Sequence, residues 1–210
     1  MSNSLDNLNI KINCHSSICI NDSVYIDPFE ITSAKNNASH IFITHPHYDH
    51  FDLKSIFNII NFKTVIIGTK EVVNKLKEYD VKNKLVVVSN ESEGEVDGIT
   101  YSTFPAYNDY HKKIMGFVGY CLTIDGVKYT ICGDTNDTEE LAQLKTDVLL
   151  IPIGGTYTMN AVEAANITNI IKPKLAIPTH YNYLDGTGTK QEEKIFLEHL
   201  NKDIPVKVLI

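Results

Sequence analysis

Residues 44–50 read THPHYDH and place three of the eight histidines of the chain, together with an aspartate, in one short segment. The segment follows the β-branched run HIFI and precedes FDLKSIFNII, in which apolar residues recur at helical spacing. A loop between a strand and a helix is therefore predicted to carry His45, His47, Asp49 and His50. Because imidazole and carboxylate groups are metal ligands, this density favours a metal site over a loop that happens to be rich in histidine.

Length and composition are those of a soluble single-domain protein. A chain of 210 residues suits one hydrophobic core, and we expect residues 1–210 to form a single domain. Its 43% hydrophobic and 21% charged residues supply enough apolar material for that core. The net charge of -7 is not accompanied by a basic block, which argues against a nucleic-acid surface, where clustered lysine and arginine neutralise phosphates.

The N-terminal stretch MSNSLDNLNIKIN is polar and lacks the pattern of a signal peptide. No apolar run approaches the roughly 18 residues that span a bilayer. The four cysteines, Cys14, Cys19, Cys121 and Cys132, form no CxxC pair. We therefore expect a cytoplasmic protein with reduced thiols and no membrane partner.

Strands and helices are predicted in two β-rich halves. The first half begins with a β-meander around the Asn-Asp turn in ICINDSVYIDP and continues as β-α-β, with Thr69 as the N-cap of the helix KEVVNKLKEY. In the second half, the turn Asp125-Gly126 predicts a hairpin. The strands DVLLIPI, KLAIPTH and VKVLI then alternate with helices. Two such halves suggest two sheets face to face with helices outside.

Two further ligand-type residues stand at the ends of apolar strands. Asp134 follows the run YTIC and Gly133, and His180 follows LAIPT. Taken singly, a Gly-Asp turn or a histidine at a strand end has a plain structural explanation. Three strand ends carrying such residues are the expected way for a sheet fold to bring distant ligands to one site.

The pattern HPHYDH, then GDT, then PTHY, with YIDP upstream, resembles the metallo-β-lactamase superfamily of binuclear metallohydrolases. The resemblance covers nearly the whole chain. The segments HSS before VYIDPF, and LLIPIGGTYTMNAVEAANITNIIKPKLAIPTHY, are similar to the small single-domain branch that includes ascorbate-6-phosphate lactonase. The resemblance implies an α/β fold, an αββα sandwich of two mixed β-sheets flanked by helices.

The same resemblance implies a role for each candidate ligand. His45 and His47 would bind one metal, and Asp49 and His50 the second. Asp134 would bridge the two metals.

The remaining residues carried over by the resemblance lie outside the histidine cluster. His180 would complete the second metal site, and Asp27 in YIDP would sit behind the ligands and fix a ligand histidine or the loop. His15 matches a histidine that this branch often carries after a glycine. Cys14 replaces that glycine here, and no firm role for His15 is predicted.

One segment departs from the pattern of many relatives, which place a third histidine ligand of the first metal after the mid-chain strand. Here the segment is FPAYNDYHKK, with Asn108 in that position and His111 three residues later. An amide oxygen is a poorer zinc ligand than imidazole. Either residue could complete the site or contact substrate, and the sequence leaves both open.

The predicted chemistry is hydrolysis by a metal-held hydroxide. Two cations about 3.5–4 Å apart can share a water and lower its pKa from 15.7 to around 7. Asp49 is the candidate catalytic residue that orients the hydroxide for attack on a small ester, lactone or phosphodiester. The expected cofactors are two divalent metal ions, zinc first, with manganese, iron or nickel as alternatives. No G-x-S-x-G motif supports a serine nucleophile.

Two other functions stay open beside the small-molecule metallohydrolase. A nuclease of the same superfamily is less favoured, because the chain is acidic and has no room for the extra domain that such nucleases carry. A metal-binding module with little catalysis is motivated by Asn108. The expected partner is a small-molecule substrate, with no nucleic acid.

Overall fold

The computed structural model describes Leu5 and residues 8–210, so residues 1–4, 6 and 7 of the polar N-terminal stretch lie outside the described residues. The chain divides into two compact units, the first ending at Val88 and the second beginning at Ser89. Each unit contains one six-stranded sheet built from contiguous chain. The prediction of a single domain over residues 1–210 stays a prediction.

The sheet of the first unit has its strands in chain order, β1 to β6. Antiparallel pairing joins β1 to β2 and β2 to β3, and parallel pairing joins β3 to β4, β4 to β5 and β5 to β6. The strands are β1 Ile10–Ile12, β2 Ile18–Ile20, β3 Val24–Ile26, β4 His40–Ile43, β5 Val65–Thr69 and β6 Lys84–Val88. Because β3, β4 and β5 are parallel, their carboxyl ends meet at one edge of the sheet.

Among the described residues of the first unit there are two helices, α1 at Leu53–Ile59 and α2 at Lys70–Glu78. The Asp52 side chain caps α1 by accepting hydrogen bonds from the Lys54 and Ser55 backbone amides. Thr69 is the N-cap of α2 as predicted, but its side chain makes no capping hydrogen bond. One core cluster of buried apolar residues in this unit includes Tyr25, Ile41, Ile43, Ile56, Ile66, Val72 and Leu76.

The sheet of the second unit has the order β12-β11-β10-β9-β8-β7. Here β10, β11 and β12 are parallel, whereas β7 to β10 pair antiparallel. The strands are β7 Glu93–Val96, β8 Ile99–Pro105, β9 Val118–Ile124, β10 Val127–Ile131, β11 Val148–Pro152 and β12 Leu175–Thr179. The hairpin predicted at Asp125-Gly126 joins β9 to β10, and both turn residues have positive φ.

Three α-helices lie in the second unit, α3 at Glu139–Ala142, α4 at Ala161–Ile171 and α5 at Lys190–His199. Capping boxes begin α4 and α5. The predicted stop of α4 at Pro173 is preceded by Lys172 in the left-handed conformation. A short 3₁₀ turn occupies Lys113–Met115.

The fold class predicted from the sequence is confirmed, since two mixed sheets with flanking helices make up the described chain. The segment VKVLI was predicted as a strand, but within it only an isolated bridge between Val206 and Ala176 forms. Strand β7 and the 3₁₀ turn were not predicted. None of the described helices is long and apolar enough to cross a bilayer. All four cysteines are thiols.

Gly119 gives a test of packing in the second sheet. It pairs across strands with Phe104, and a Cβ at Gly119 would lie 2.2 Å from Phe104 Cζ. Because the buried ring would have to move, we expect Gly119→Ala to lower the free energy of unfolding by about 1–3 kcal/mol, measured by urea denaturation. Gly126→Asn is the control, because an added Cβ meets nothing within 4 Å and asparagine tolerates the positive φ of this turn better than other side chains do. Equal unfolding midpoints for the wild type and Gly119→Ala would contradict the packing described.

Candidate metal centre

In the first unit the histidine segment and Asp27 follow neighbouring parallel strands. Asp27 comes directly after β3, and Thr44 directly after β4. The Asp27 backbone amide donates to the Phe42 carbonyl at 3.0 Å, which continues the pairing of the two strands by one residue. The carboxyl ends of parallel strands are the usual location of ligand sites in α/β sheets. The sheet thus places the Asp27 carboxyl group against the start of the histidine segment.

The Asp27 side chain, 1% exposed, is surrounded by three hydrogen-bond donors. Its Oδ1 accepts from the Thr44 backbone amide at 2.8 Å, and its Oδ2 accepts from the Thr44 hydroxyl at 2.7 Å and from His50 Nδ1 at 2.8 Å. Burial raises the pKa of the Asp27 carboxyl group, and His50 and Thr44 oppose that rise. Three donors directed at two oxygens match the carboxylate form.

This network sets which ring nitrogen carries the proton in His45 and His50. The Thr44 hydroxyl has a single proton, which goes to Asp27, so at 2.9 Å from His45 Nδ1 its oxygen accepts the Nδ1 proton. His50 Nδ1 likewise donates to Asp27. In the neutral form, each ring therefore has its lone pair on Nε2. A buried hydrogen-bond partner that fixes the tautomer in this way is typical of metal-binding histidines.

The side chains of the histidine segment lie close together within the first unit. The ring centroid of His45 is 4.7 Å from that of His47 and 4.1 Å from that of His50. Asp49 Oδ2 lies 3.4 Å from His50 Nε2. His45 and His50 are buried, and His47 is half-buried. Imidazole nitrogens and a carboxylate oxygen at these separations fit a divalent cation such as zinc, iron or manganese.

The second unit brings together Asp134 and His180. Asp134 follows β10 and His180 follows β12, at the edge where the parallel strands end. His180 Nε2 lies 3.1 Å from Asp134 Oδ1, and the two residues are 2% and 4% exposed. Both are reached through left-handed backbone, with φ of 63° at Gly133 and 57° at His180. The two predicted ligands of this unit are therefore adjacent.

Gly154 fixes the backbone at His180. A Cβ on Gly154 would lie 2.1 Å from the His180 carbonyl oxygen and 2.7 Å from that of Thr187. Only glycine permits this approach, because real Cβ atoms essentially never come within 3.0 Å of other heavy atoms. The backbone at Gly154, just after β11, therefore packs directly against the backbone at His180.

Asn108 forms a closed turn with His111 in the second unit. Its Oδ1 accepts from the backbone amides of Tyr110 and His111, both at 2.8 Å, and its Nδ2 donates to the Tyr157 carbonyl at 2.6 Å. The Asn108 backbone amide also donates a hydrogen bond to the His111 carbonyl at 2.9 Å. Both lone pairs of the Asn108 side-chain oxygen are thus used within the turn. His111, 7% exposed, is held with its Nδ1 3.2 Å from Asn108 Nδ2.

Two residues that had no role assigned from the sequence contact candidate ligands of the first unit. Thr44 links Asp27 to His45 through its hydroxyl group. The sequence around these residues does not predict that contact. His15 Nε2 lies 3.2 Å from Asp49 Oδ2. The match of His15 to a histidine of related chains was the one sequence signal for it. That match did not predict its contact with Asp49, which is 34 positions away.

The comparison with protein families gives a match to the β-lactamase superfamily domain over residues 10–180. The chain therefore belongs to this superfamily, and the family predicted from its motifs is confirmed. The resemblance to ascorbate-6-phosphate lactonase stays a prediction.

Relatives that cover most of the chain are named as metal-dependent hydrolases. One from Thermococcus onnurineus is 33% identical over 193 residues, covering 81% of this chain and 82% of its own. Another, from Saccharolobus solfataricus, is 31% identical over 168 residues, covering 76% and 73%. The crystal structure of a proposed metal-dependent hydrolase from Parabacteroides distasonis has 27% sequence identity and a TM-score of 0.79, covering 96% of this chain and 92% of its own. The protein is a metal-dependent hydrolase of the metallo-β-lactamase fold.

Asp27→Asn tests the tautomer network. Whichever way the asparagine amide is turned, its NH₂ group meets a donor, either the Thr44 backbone amide or the pair formed by the Thr44 hydroxyl and His50 Nδ1. We expect zinc affinity, measured by chelator competition, to fall about 10–100-fold, as for other hydrogen-bond partners of ligands.

Asp52→Asn is the matched control, because it makes the same chemical change at the cap of α1, where asparagine caps equally well. Unchanged zinc affinity in a folded Asp27→Asn protein would show that Asp27 does not orient the histidines.

Proposed function

We propose that this hydrolase uses two divalent metal ions, with zinc as the first candidate, and acts on small ester, lactone or phosphodiester substrates. The observation that carries the proposal is the Asp27–Thr44 network, which leaves both His45 and His50 with the Nε2 lone pair that a metal requires. Bound divalent ions would supply Lewis acidity and lower the pKa of a coordinated water.

The number of donors supports two ions. The first unit offers His45, His47, Asp49 and His50 in one segment, and four side chains are already a full tetrahedral set. Within the second unit, Asp134 and His180 lie 3.1 Å apart. Asp49 combines a charged oxygen with a side chain that is 12% exposed. We assign it the catalytic role of accepting a hydrogen bond from the attacking water and orienting it.

Three of the four cysteines do not offer a competing nucleophile. Burial raises the pKa of the Cys19, Cys121 and Cys132 thiols. The thiolate form, which is the nucleophile, is therefore scarce at neutral pH. Four thiols also support the proposal of a reducing, cytoplasmic environment.

Charge favours a small substrate over a nucleic acid. The net charge is -7, and several lysines are paired with acidic side chains. Examples are Lys11 with Asp22, Lys113 with Glu140, and Lys174 with Asp147. Neutralised lysines cannot supply the run of phosphate contacts on which nucleic-acid affinity depends.

His111, rather than Asn108, is proposed as the metal donor of its segment. The side-chain oxygen of Asn108 already accepts two hydrogen bonds, so it has no lone pair to give, whereas His111 is presented by the turn that Asn108 closes. Asn108, which stands where many relatives have a histidine ligand, then holds the turn that positions His111.

Two substitutions test this assignment. His111→Gln is expected to lower the zinc content per protein, measured by elemental analysis, while His199→Gln on the exposed face of α5 leaves it unchanged. Asn108→His is expected to lower zinc content rather than raise it, because an imidazole cannot accept both backbone amides. Full zinc content in His111→Gln would contradict the assignment.

Metal removal tests the proposed reaction. We expect a chelator to abolish hydrolysis of a panel of nitrophenyl esters, lactones and bis-nitrophenyl phosphate, and zinc or manganese to restore it. Asp134→Ala is expected to lose metal and activity together. Hydrolysis that survives complete metal removal would refute the proposal, and faster cleavage of RNA than of every small substrate would identify a nuclease instead.

A further inference from the structure

His15 occupies a turn whose backbone favours other residues. The turn joins β1 to β2, with the Ser17 amide donating to the Cys14 carbonyl at 2.8 Å. His15 has a φ of 52°, in the left-handed region that glycine adopts without cost and asparagine or aspartate at low cost. A histidine here costs backbone energy that a glycine would not, so its side chain must contribute something else.

Burial separates His15 from most other left-handed residues. Among the residues that the structure describes, twelve other than glycine have positive φ, and nine of them are exposed. The remaining three, His15, Asp27 and His180, are at most 2% exposed. Asp27 and His180 were both predicted to serve the metal centre. Strained backbone held by surrounding structure is typical of functional sites, and His15 shares that property with the two.

The distances around Asp49 match those between ligands of one metal ion. Asp49 Oδ2 lies 3.2 Å from His15 Nε2 and 3.4 Å from His50 Nε2. Two ligand atoms at about 2.0–2.2 Å from a tetrahedral ion are about 3.3–3.6 Å apart. The ligand atoms of all three residues lie within 4.8 Å of one another. The rings of His15 and His50 have centroids 6.1 Å apart and meet edge to face, so they do not stack on each other.

The turn is fixed to the segment that carries Asp27. Asn13 Nδ2 donates to the Phe29 carbonyl at 2.9 Å, and the Phe29 amide donates to Ser17 Oγ at 3.0 Å. Phe29 lies two residues after Asp27, so the same stretch of chain holds both His50 and the turn of His15. The position of the His15 ring is therefore set by the fold of the first unit.

We propose that His15 is a ligand of the metal ion that Asp49 and His50 bind. The inference rests on the proposed metal-dependent function. It gives that ion two imidazoles and one carboxylate from the first unit alone, a donor set that suits iron and manganese as well as zinc. The competing explanation is a buried hydrogen bond in which His15 only orients Asp49.

The cobalt-loaded protein distinguishes a ligand from an orienting residue, because its visible absorption reports the coordination of the ion. His15→Asn and His15→Asp both suit the left-handed backbone, but asparagine removes a strong ligand whereas aspartate replaces it. We expect His15→Asn to change the cobalt spectrum and to weaken cobalt binding by more than the roughly 10–100-fold typical of orienting residues. We expect His15→Asp to bind more tightly than His15→Asn.

The controls separate failure of this inference from failure of the proposed function. His40→Gln, at a buried histidine of β4, should leave the spectrum unchanged, and His50→Ala should abolish the signal of this ion. If the wild type binds no metal, the proposed function fails. If the wild type binds metal and His15→Asn keeps its cobalt spectrum, only the His15 proposal is overturned, even when its affinity is lower.

A measurement on the wild type needs no substitution at His15. Imidazole ¹⁵N NMR during a zinc titration should show His15 Nε2 shifting together with His50 Nε2. A His15 signal that retains the shift of a protonated Nε2 in the zinc-loaded protein would overturn the proposal.

Discussion

One buried carboxylate, Asp27, determines the arrangement of the candidate metal centre in the first unit. A carboxylate removed from water is costly unless hydrogen bonds replace its hydration. Here the Thr44 amide, the Thr44 hydroxyl and His50 provide those bonds. Because the donors come from the chain that follows β4, stabilising the charge also orders the histidine segment. The same hydrogen bonds hold the protons of His45 and His50 on Nδ1. The interactions that order the loop therefore also leave the Nε2 lone pairs of both rings available to a metal ion.

The second unit reaches a comparable result with backbone geometry. Gly133 turns the chain at the end of β10 and Gly154 allows the His180 carbonyl to approach at a distance that a side chain would forbid. Asp134 and His180 are thereby held 3.1 Å apart. Asn108 uses its amide group to close a turn around His111. In both units, the candidate ligands lie at the carboxyl ends of parallel strands, and a few polar or glycine residues fix the distances between them.

The sequence was sufficient for the strands and helices whose apolar pattern is strong. It was also sufficient to bring together side chains that are neighbours along the chain, such as His45 and His50. It was insufficient where contacts between residues distant in the chain determine the local structure or the role of a side chain. VKVLI has the composition of a strand, yet apart from the bridge at Val206 it forms no ladder. The role of Asn108 depends on a hydrogen bond to Tyr157, 49 residues away. His15 reaches Asp49 only because the β1–β2 hairpin and the Phe29 segment place it there, and no local pattern encodes that contact.

The sheets are each formed from contiguous chain, with the first complete at Val88. Chains are synthesised from the N-terminus, and compact units generally fold as they emerge. Every strand of the first sheet, Asp27 and the whole histidine segment are thus available to fold while the second half is still being translated. The β2–β3 hairpin closes on a three-residue loop, in which Asn21 and Asp22 have positive φ, and the later strands join in chain order. The nascent chain can therefore acquire its tautomer-fixed histidines before Asp134 and His180 have been made.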